Sequence, residues 1–289
     1  DRAPLPAPQR LPRPVATGAP DRALSGSARH RLRSDLPVEE AVRLLRHGDL
    51  ELEGRLRGAS NTTLRAVVTL DGVATRCVYK PIAGERPLWD FPDGTLAARE
   101  VAAYLVSEAT GWNIVPPTVL RDGPLGPGAC QLWVPTRTGA DALRVGFVPA
   151  ERLPAGWHAI ADAVDDDGGE YLLAHADDPG LARIALLDVV INNADRKGGH
   201  VLPALDGTLR GVDHGVTFHV EDKLRTVLWG FVGRPLAAED RATLESLRAA
   251  LDGDLRERLG ELLTVEEVEA TVVRLDRLLA VGVFPAPDP

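Results

Sequence analysis

Lysine is scarce in this chain. Of its 33 basic residues only Lys80, Lys197 and Lys223 are lysines, and the others are arginines. Lysine is a compact point charge and arginine a planar fork, so Lys80 and Lys197 stand out as places where a point charge is the device. Cysteine is scarcer still. Cys77 and Cys130 each sit in an apolar, strand-like run, which reads as two small buried residues in a reducing compartment rather than a disulfide or a nucleophile. No apolar run reaches the ~18–20 residues that a bilayer crossing needs. The opening Asp1-Arg2-Ala3-Pro4 lacks the apolar core of a signal peptide, so a cytoplasmic location is expected. An initiator methionine is also lacking, and native residues are expected ahead of Asp1. Positive charge is in deficit, with 42 acidic residues and a formal net charge of −9. That balance excludes non-specific nucleic-acid binding and gives no general attraction to anionic lipid.

What is present is ordinary globular material. At 289 residues and 44% hydrophobic the chain is long enough for one large domain or two lobes with separate cores. It carries no internal repeat. Residues 1–34 are rich in Pro, Arg and Ala without periodicity and read as a disordered tail. A helix is expected over Pro37–His47, capped by Ser34 or Asp35 and stopped by Gly48. Strands are expected over Leu50–Arg57, Thr62–Leu70 and Ala74–Tyr79, with Asp71-Gly72 as a hairpin turn. The small polar loop with Ser60 and Asn61 has backbone N–H groups able to approach a phosphate. A helix over Thr95–Glu108, capped by Thr95 or Asp93, carries Glu100. Strands over Asn113–Arg121 and Ala129–Thr136 complete a five-stranded antiparallel lobe with one helix. Gln131-Leu132-Trp133-Val134 then leads out as a hinge whose backbone amides suit a purine edge.

Residues 137–180 give no clear reading. Asp165-Asp166-Asp167 lacks the alternating spacing of a calcium loop and reads as a solvated acidic turn. An apolar helix over Leu181–Asn193 runs into Ala194-Asp195-Arg196-Lys197-Gly198-Gly199-His200. A short strand, a turn at Asp206-Gly207 and a second strand then end in Asp213-His214-Gly215. Two acids are thus presented at the ends of two regular elements, on glycine-rich loops. One carboxylate that touches a hydroxyl and another that holds a cation are placed in this way for phosphoryl transfer. Helices over Ala237–Leu251 and Val265–Ala280 close the chain.

Together these pieces resemble a kinase in their order. The text Tyr79-Lys80-Pro81, Arg99-Glu100-Val101-Ala102-Ala103-Tyr104, Asn113-Ile114-Val115-Pro116-Pro117, Leu187-Asp188-Val189-Val190-Ile191-Asn192-Asn193-Ala194-Asp195-Arg196 and Val212-Asp213-His214-Gly215 is similar to the phosphatidylinositol 3-/4-kinase-like superfamily. Within it, the type II phosphatidylinositol 4-kinases and actinobacterial kinase-like proteins are the nearer likeness. The resemblance spans about residues 50–235. It implies an α+β, two-lobed protein-kinase-like fold: a nucleotide-binding lobe over 35–136, a catalytic lobe over 137–289 and an ATP cleft between. It also implies roles. Lys80 would contact the α- and β-phosphates and pair with Glu100, with Ser60, Asn61, Gln131, Trp133 and Val134 around the nucleotide. Asp195 would accept the proton of the attacking hydroxyl, and Asp213 would hold Mg2+ or Mn2+. Asp188, Asn193 and Arg196 would shape the loop.

Two residues need their own argument. Lys197, two residues after Asp195, is placed to hold the γ-phosphate and stabilise charge in flight; a solvent-facing lysine is the alternative. His200 stands where the family has an asparagine that ligates a second metal. An imidazole is a softer ligand and favours Mn2+. Otherwise His200 is no ligand and Asp213 holds a single ion, or the site binds nucleotide and transfers slowly.

The loop from Pro81 to Gly94 has no cysteine of the kind that anchors type II lipid kinases through palmitoylation. Lys223 and Arg225, with His214 and His219, are few cations for a multiply phosphorylated headgroup. Trp229 and Phe231 read as core, with a membrane face as the alternative. The expected acceptor is a protein or small-molecule hydroxyl, the protein's own included, with an inositol lipid as the alternative. A pseudokinase scaffold and a nucleotidyl transferase stay open beside the kinase.

Overall fold

The computed structural model describes residues 9–10, 32–56, 58, 61–92 and 94–287. They divide into two compact units, one made of Pro12–Ala97 and Pro117–Trp133, the other of Asp1–Leu11, Ala98–Pro116 and Val134–Pro289. The tail expected over 1–34 lies mostly outside the described residues. Within it, β1 (Gln9–Arg10) runs parallel to Ala163–Val164, and Arg33 donates its N–H to the Ala74 carbonyl.

The first unit is built on α1 (Val38–His47), β2 (Asp49–Arg55), β3 (Leu64–Leu70) and β4 (Val73–Pro81). After these come the start of α2 (Leu96–Thr110), then β5 (Thr118–Gly123) and β6 (Gly126–Leu132). The strands form one antiparallel sheet in the order β2-β3-β4-β6-β5. Asp71 and Gly72 both have positive φ, 51° and 79°, as a two-residue turn that matches strand twist requires. Apolar residues of α1 at Ala41, Leu44 and Leu45 recur on one face and bury against the sheet, in a core with Ala66, Val68, Cys77, Val119 and Cys130. The C-terminal carbonyls of α1 are met by a cation: Arg121 donates to Leu45 O and Gly48 O at 2.9 and 2.7 Å. Cys77 and Cys130 are buried free thiols. The Cys77 thiol is held far above its ordinary pKa by its hydrogen bond with Cys130 and by burial, so it is inert at neutral pH.

Two expectations are corrected here: neither Ser34 nor Asp35 caps α1, which follows Pro37 with no side-chain cap, and one strand is shorter than expected. The strand proposed from Asn113 begins only at Thr118. Asn113 is left-handed, with φ 54°, Pro116 and Pro117 lack donors, and the Ile114 and Val115 amides donate to Ser107 Oγ. Of the two caps expected for α2, Asp93 lies outside the described residues, and the Thr95 hydroxyl donates to Pro92 O. The carboxylate of Glu85 accepts from the Leu96 and Ala97 amides at 3.2 and 2.8 Å, a negative charge on the positive end of a helix.

The second unit holds the rest of α2, then β7 (Val145–Pro149), β8 (Trp157–Val164), β9 (Glu170–Ala176) and α3 (Pro179–Val190). The β10 (Val201–Pro203) and β11 (Leu209–Gly211) hairpin follows, then α4 (Ala238–Ala250), α5 (Asp254–Gly260) and α6 (Val265–Val281). The stretch that gave no clear reading is a sheet in the order β1-β8-β9-β7. A bulge between Ala159 and Ala161 breaks the alternation of β8. Asp165 turns the β8–β9 hairpin, accepting from the Asp167 and Gly169 amides. Among the described residues no helix is long and apolar enough to cross a membrane.

Candidate functional site

Helix α3 is apolar nearly all round and is buried accordingly. It starts sharply: Pro179 sits in its first turn and Asp178 caps it, accepting from the Gly180 and Leu181 amides. Asp188, in its last turn, is fully buried. The chain leaves the helix through Asn192, held left-handed at φ 52°. The Asn192 amide donates to the carbonyls of His219 and Glu221 at 2.9 and 2.6 Å and accepts from the Lys223 N–H at 2.8 Å. Residues 219–223 are thereby laid against the loop that follows.

That loop is shaped by one buried ion pair. The Arg196 and Asp188 side chains are both 0% exposed. Arg196 Nε donates to Asp188 Oδ2 at 2.9 Å and Nη2 to Oδ1 at 2.8 Å, the two-pronged geometry that makes such pairs strong. Its Nη1 reaches the Val212 carbonyl at 3.1 Å, and its Nη2 lies 2.7 Å from His214 Nε2. Since guanidinium can only donate, His214 accepts at Nε2. Asn193 completes the frame: it donates to Asp188 Oδ1 and accepts from the Asp195 amide at 3.0 Å. The backbone of Arg225 adds an outer edge, donating to Asn193 O and accepting from the Arg196 N–H.

On this frame the chemistry-bearing side chains are open to solvent. Asp195 is 43% exposed, with Lys197 Nζ 2.7 Å from its Oδ2. Asp213, in a left-handed turn at φ 63°, is 55% exposed, and its Oδ2 lies 3.3 Å from His200 Nε2. Burial lowers the His200 pKa below its ordinary value, outweighing the pull of the Asp213 charge. The ring is therefore neutral at neutral pH and has a lone pair to offer.

No group of three or more His, Cys, Asp or Glu side chains forms a metal cage among the described residues. Asp213 and His200 still fit a divalent ion. Neighbouring ligand atoms on an ion at ~2.1 Å lie about 3 Å apart, close to the separation seen. Mg2+ in phosphate-transfer sites takes one or two protein ligands and leaves the rest to substrate and water, and Mn2+ accepts imidazole as well.

Asp195, Lys197, His200 and Asp213 thus occur together in the second unit. His200 feels the charges of the other three. Glu100 is in the same unit, on α2, and is 2% exposed. Lys80, half-buried on β4 opposite Ala129, belongs to the sheet unit. So does Asn61, whose side chain accepts from the Arg86 amide at 2.9 Å. Ser60 lies outside the described residues. The Gln131 side chain donates to Thr118, and the Trp133 N–H donates to Arg76 O. The Trp133 N–H is thus taken within the sheet unit. Phe231 is core, stacked on His175 and Phe284. The buried roles of Arg99, His214 and Thr217 escaped sequence reasoning, and His214, fully buried, is no surface cation. Arg99 pairs with Glu267, 168 residues away, a separation that leaves no local trace.

No family model matches the chain. Protein Rv2133c of Mycobacterium tuberculosis is 49% identical over 257 residues, covering 86% of this chain and 92% of its own length. Among solved structures, the Golgi casein kinase with Mn/ADP bound aligns with a TM-score of 0.50 at 14% identity, over 84% of this chain and 74% of that one. Hydra Fam20 with sugar aligns with a TM-score of 0.52 at 17% identity, over 86% and 89%. At such identities the likeness establishes the fold, which is kinase-like: α+β, with an antiparallel sheet lobe and a mainly helical lobe.

Proposed function

From the premise that this chain belongs to the family of the mycobacterial Protein Rv2133c, we propose that it is an ATP-dependent phosphotransferase acting on an alcohol. The observation that carries the reading is the contrast within one loop system. Asp195 and Asp213 are open to solvent, while Asp188, Arg196, Asn193 and His214, which hold their loops, are 2% exposed or less. A buried polar frame is costly unless every member is satisfied, and here it fixes two carboxylates that do nothing for the core.

In this proposal Asp195 accepts the proton of the attacking hydroxyl. Lys197, already 2.7 Å from that carboxylate, has the reach to follow the transferring phosphoryl group. Asp213 and His200 hold Mg2+ or Mn2+, which supplies the positive charge that phosphate oxygens need as they separate. Lys80 would contact the α- and β-phosphates, as the resemblance implies. The structural relative was solved with Mn/ADP, and the imidazole ligand gives this chain its own reason to prefer Mn2+. The acceptor is a protein or small-molecule hydroxyl. A lipid-kinase reading has lost Phe231 as a membrane contact, because that ring is buried.

The test is 31P NMR, after EDTA quenching, of the protein incubated with ATP and Mn2+ or Mg2+, its own Ser and Thr hydroxyls serving as acceptors. ADP with a phosphorylated product is expected, faster with Mn2+, and His200→Asn should shift the preference toward Mg2+. Pyrophosphate release would identify a nucleotidyl transferase instead. Tight ATP binding without turnover would identify a nucleotide-binding scaffold.

A further inference from the structure

Arg99 precedes Glu100 on α2, and only 1% of it is exposed. Its Nη1 donates to the Thr217 carbonyl at 2.6 Å, and its Nη2 pairs with Glu267. Glu267 is also the third residue of α6 and closes a capping box with Thr264. The contacts continue inward. The Thr217 hydroxyl donates to His214 O at 2.7 Å, and His214 Nε2 accepts from Arg196. Arg196 grips Asp188, Asp188 accepts from Asn193, and Asn193 accepts from the amide of Asp195. From Glu267 to Asn193 no member is more than 7% exposed.

We propose that this buried polar chain makes α2, the Asp213 turn and the Asp195 loop one mechanical body. Arg99 is the positioning residue that fixes the Glu100 helix within it. A helix held this way does not swing as a switch. Displacing it would strip a buried guanidinium of its carboxylate and orphan the Thr217 carbonyl, both penalised in a low-dielectric interior. What Glu100 contributes rests on the kinase reading; the mechanical claim does not.

The experiment compares wild type with Arg99→Met and with Arg99→Met/Glu267→Gln. The double variant leaves no unpaired buried charge and keeps a capping box, since glutamine serves at that position. It stays folded even if the single variant does not. Amide hydrogen exchange is followed over Leu96–Thr110, over 214–218 and over Ala238–Ala250 as reference, and Mn-ATP affinity is measured by calorimetry. In the double variant, exchange is expected to quicken at least tenfold in the first two segments and stay unchanged in the third. The Kd for Mn-ATP is expected to rise at least fivefold. Unchanged exchange at 214–218, equal quickening in all three segments, or unaltered affinity in a protein that binds nucleotide would overturn the proposal. If wild type binds no nucleotide, the kinase reading fails, and the exchange result alone decides the mechanical claim.

Discussion

Replacing Asp188 with alanine should be the most damaging single change in the buried polar frame. The carboxylate and the Arg196 guanidinium are both fully buried. Its loss removes contacts at 2.8 and 2.9 Å from Arg196 and leaves the Asn193 amide without its 2.9 Å acceptor. Breaking a buried pair from one side costs about 3–5 kcal/mol, because a charge stays behind unpaired. At roughly 2–4 °C per kcal/mol for a domain of this size class, the melting temperature should fall by on the order of 10 °C. Asp188→Ala with Arg196→Met removes both charges and should recover part of that loss. The cycle should show a coupling of about 2 kcal/mol or more. On the proposed function, phosphoryl transfer should not return in the double variant, because the Asn193 side chain has lost the Asp188 carboxylate that orients it. Urea unfolding of all four proteins, followed by circular dichroism, gives the energies. A cost below ~1 kcal/mol for Asp188→Ala, or a double variant weaker than the summed singles, would refute the reasoning.

Further outcomes follow from other parts of the molecule. His175 donates from Nδ1 to Ala176 O and accepts from the Gly230 N–H at Nε2, so its neutral form is satisfied, and burial lowers its pKa below 6.5. The unfolded chain takes up the proton first as pH falls, so this contribution to stability is full above about pH 6.5 and shrinks below it. His175→Asn should flatten the slope of unfolding free energy between pH 6.5 and 5; an unchanged slope would show that His175 is not its source. Glu85→Ala should destabilise by about 1 kcal/mol through loss of the cap on α2, read by thermal melting, and an unaltered melt would reject the cap. Lys197→Ala should lower kcat more than it raises the KM for ATP; the reverse would remove it from the γ-phosphate.

Much of this was legible in the chain because it is local. The α1 stripe and the Asp71-Gly72 turn depend on neighbours within a few residues, and the local pattern shows it. The two acids were legible for the same reason, since each ends a regular element on a glycine-rich turn. The β7–β9 sheet was not: one strand is bulged, which breaks its alternation, and its burial comes from partners elsewhere in the chain. Nor was the cap of α2, which comes from Glu85 across a loop. The Arg99–Glu267 pair was hidden most completely. A sequence displays residue types and spacings, and these chose the elements and marked Asp195 and Asp213. Which arginines are surface charges and which are buried frame depends on what the folded chain brings beside them, and only the tertiary structure decided that for Arg99 and Arg196, because the cost of burying a charge is set by its distant partner.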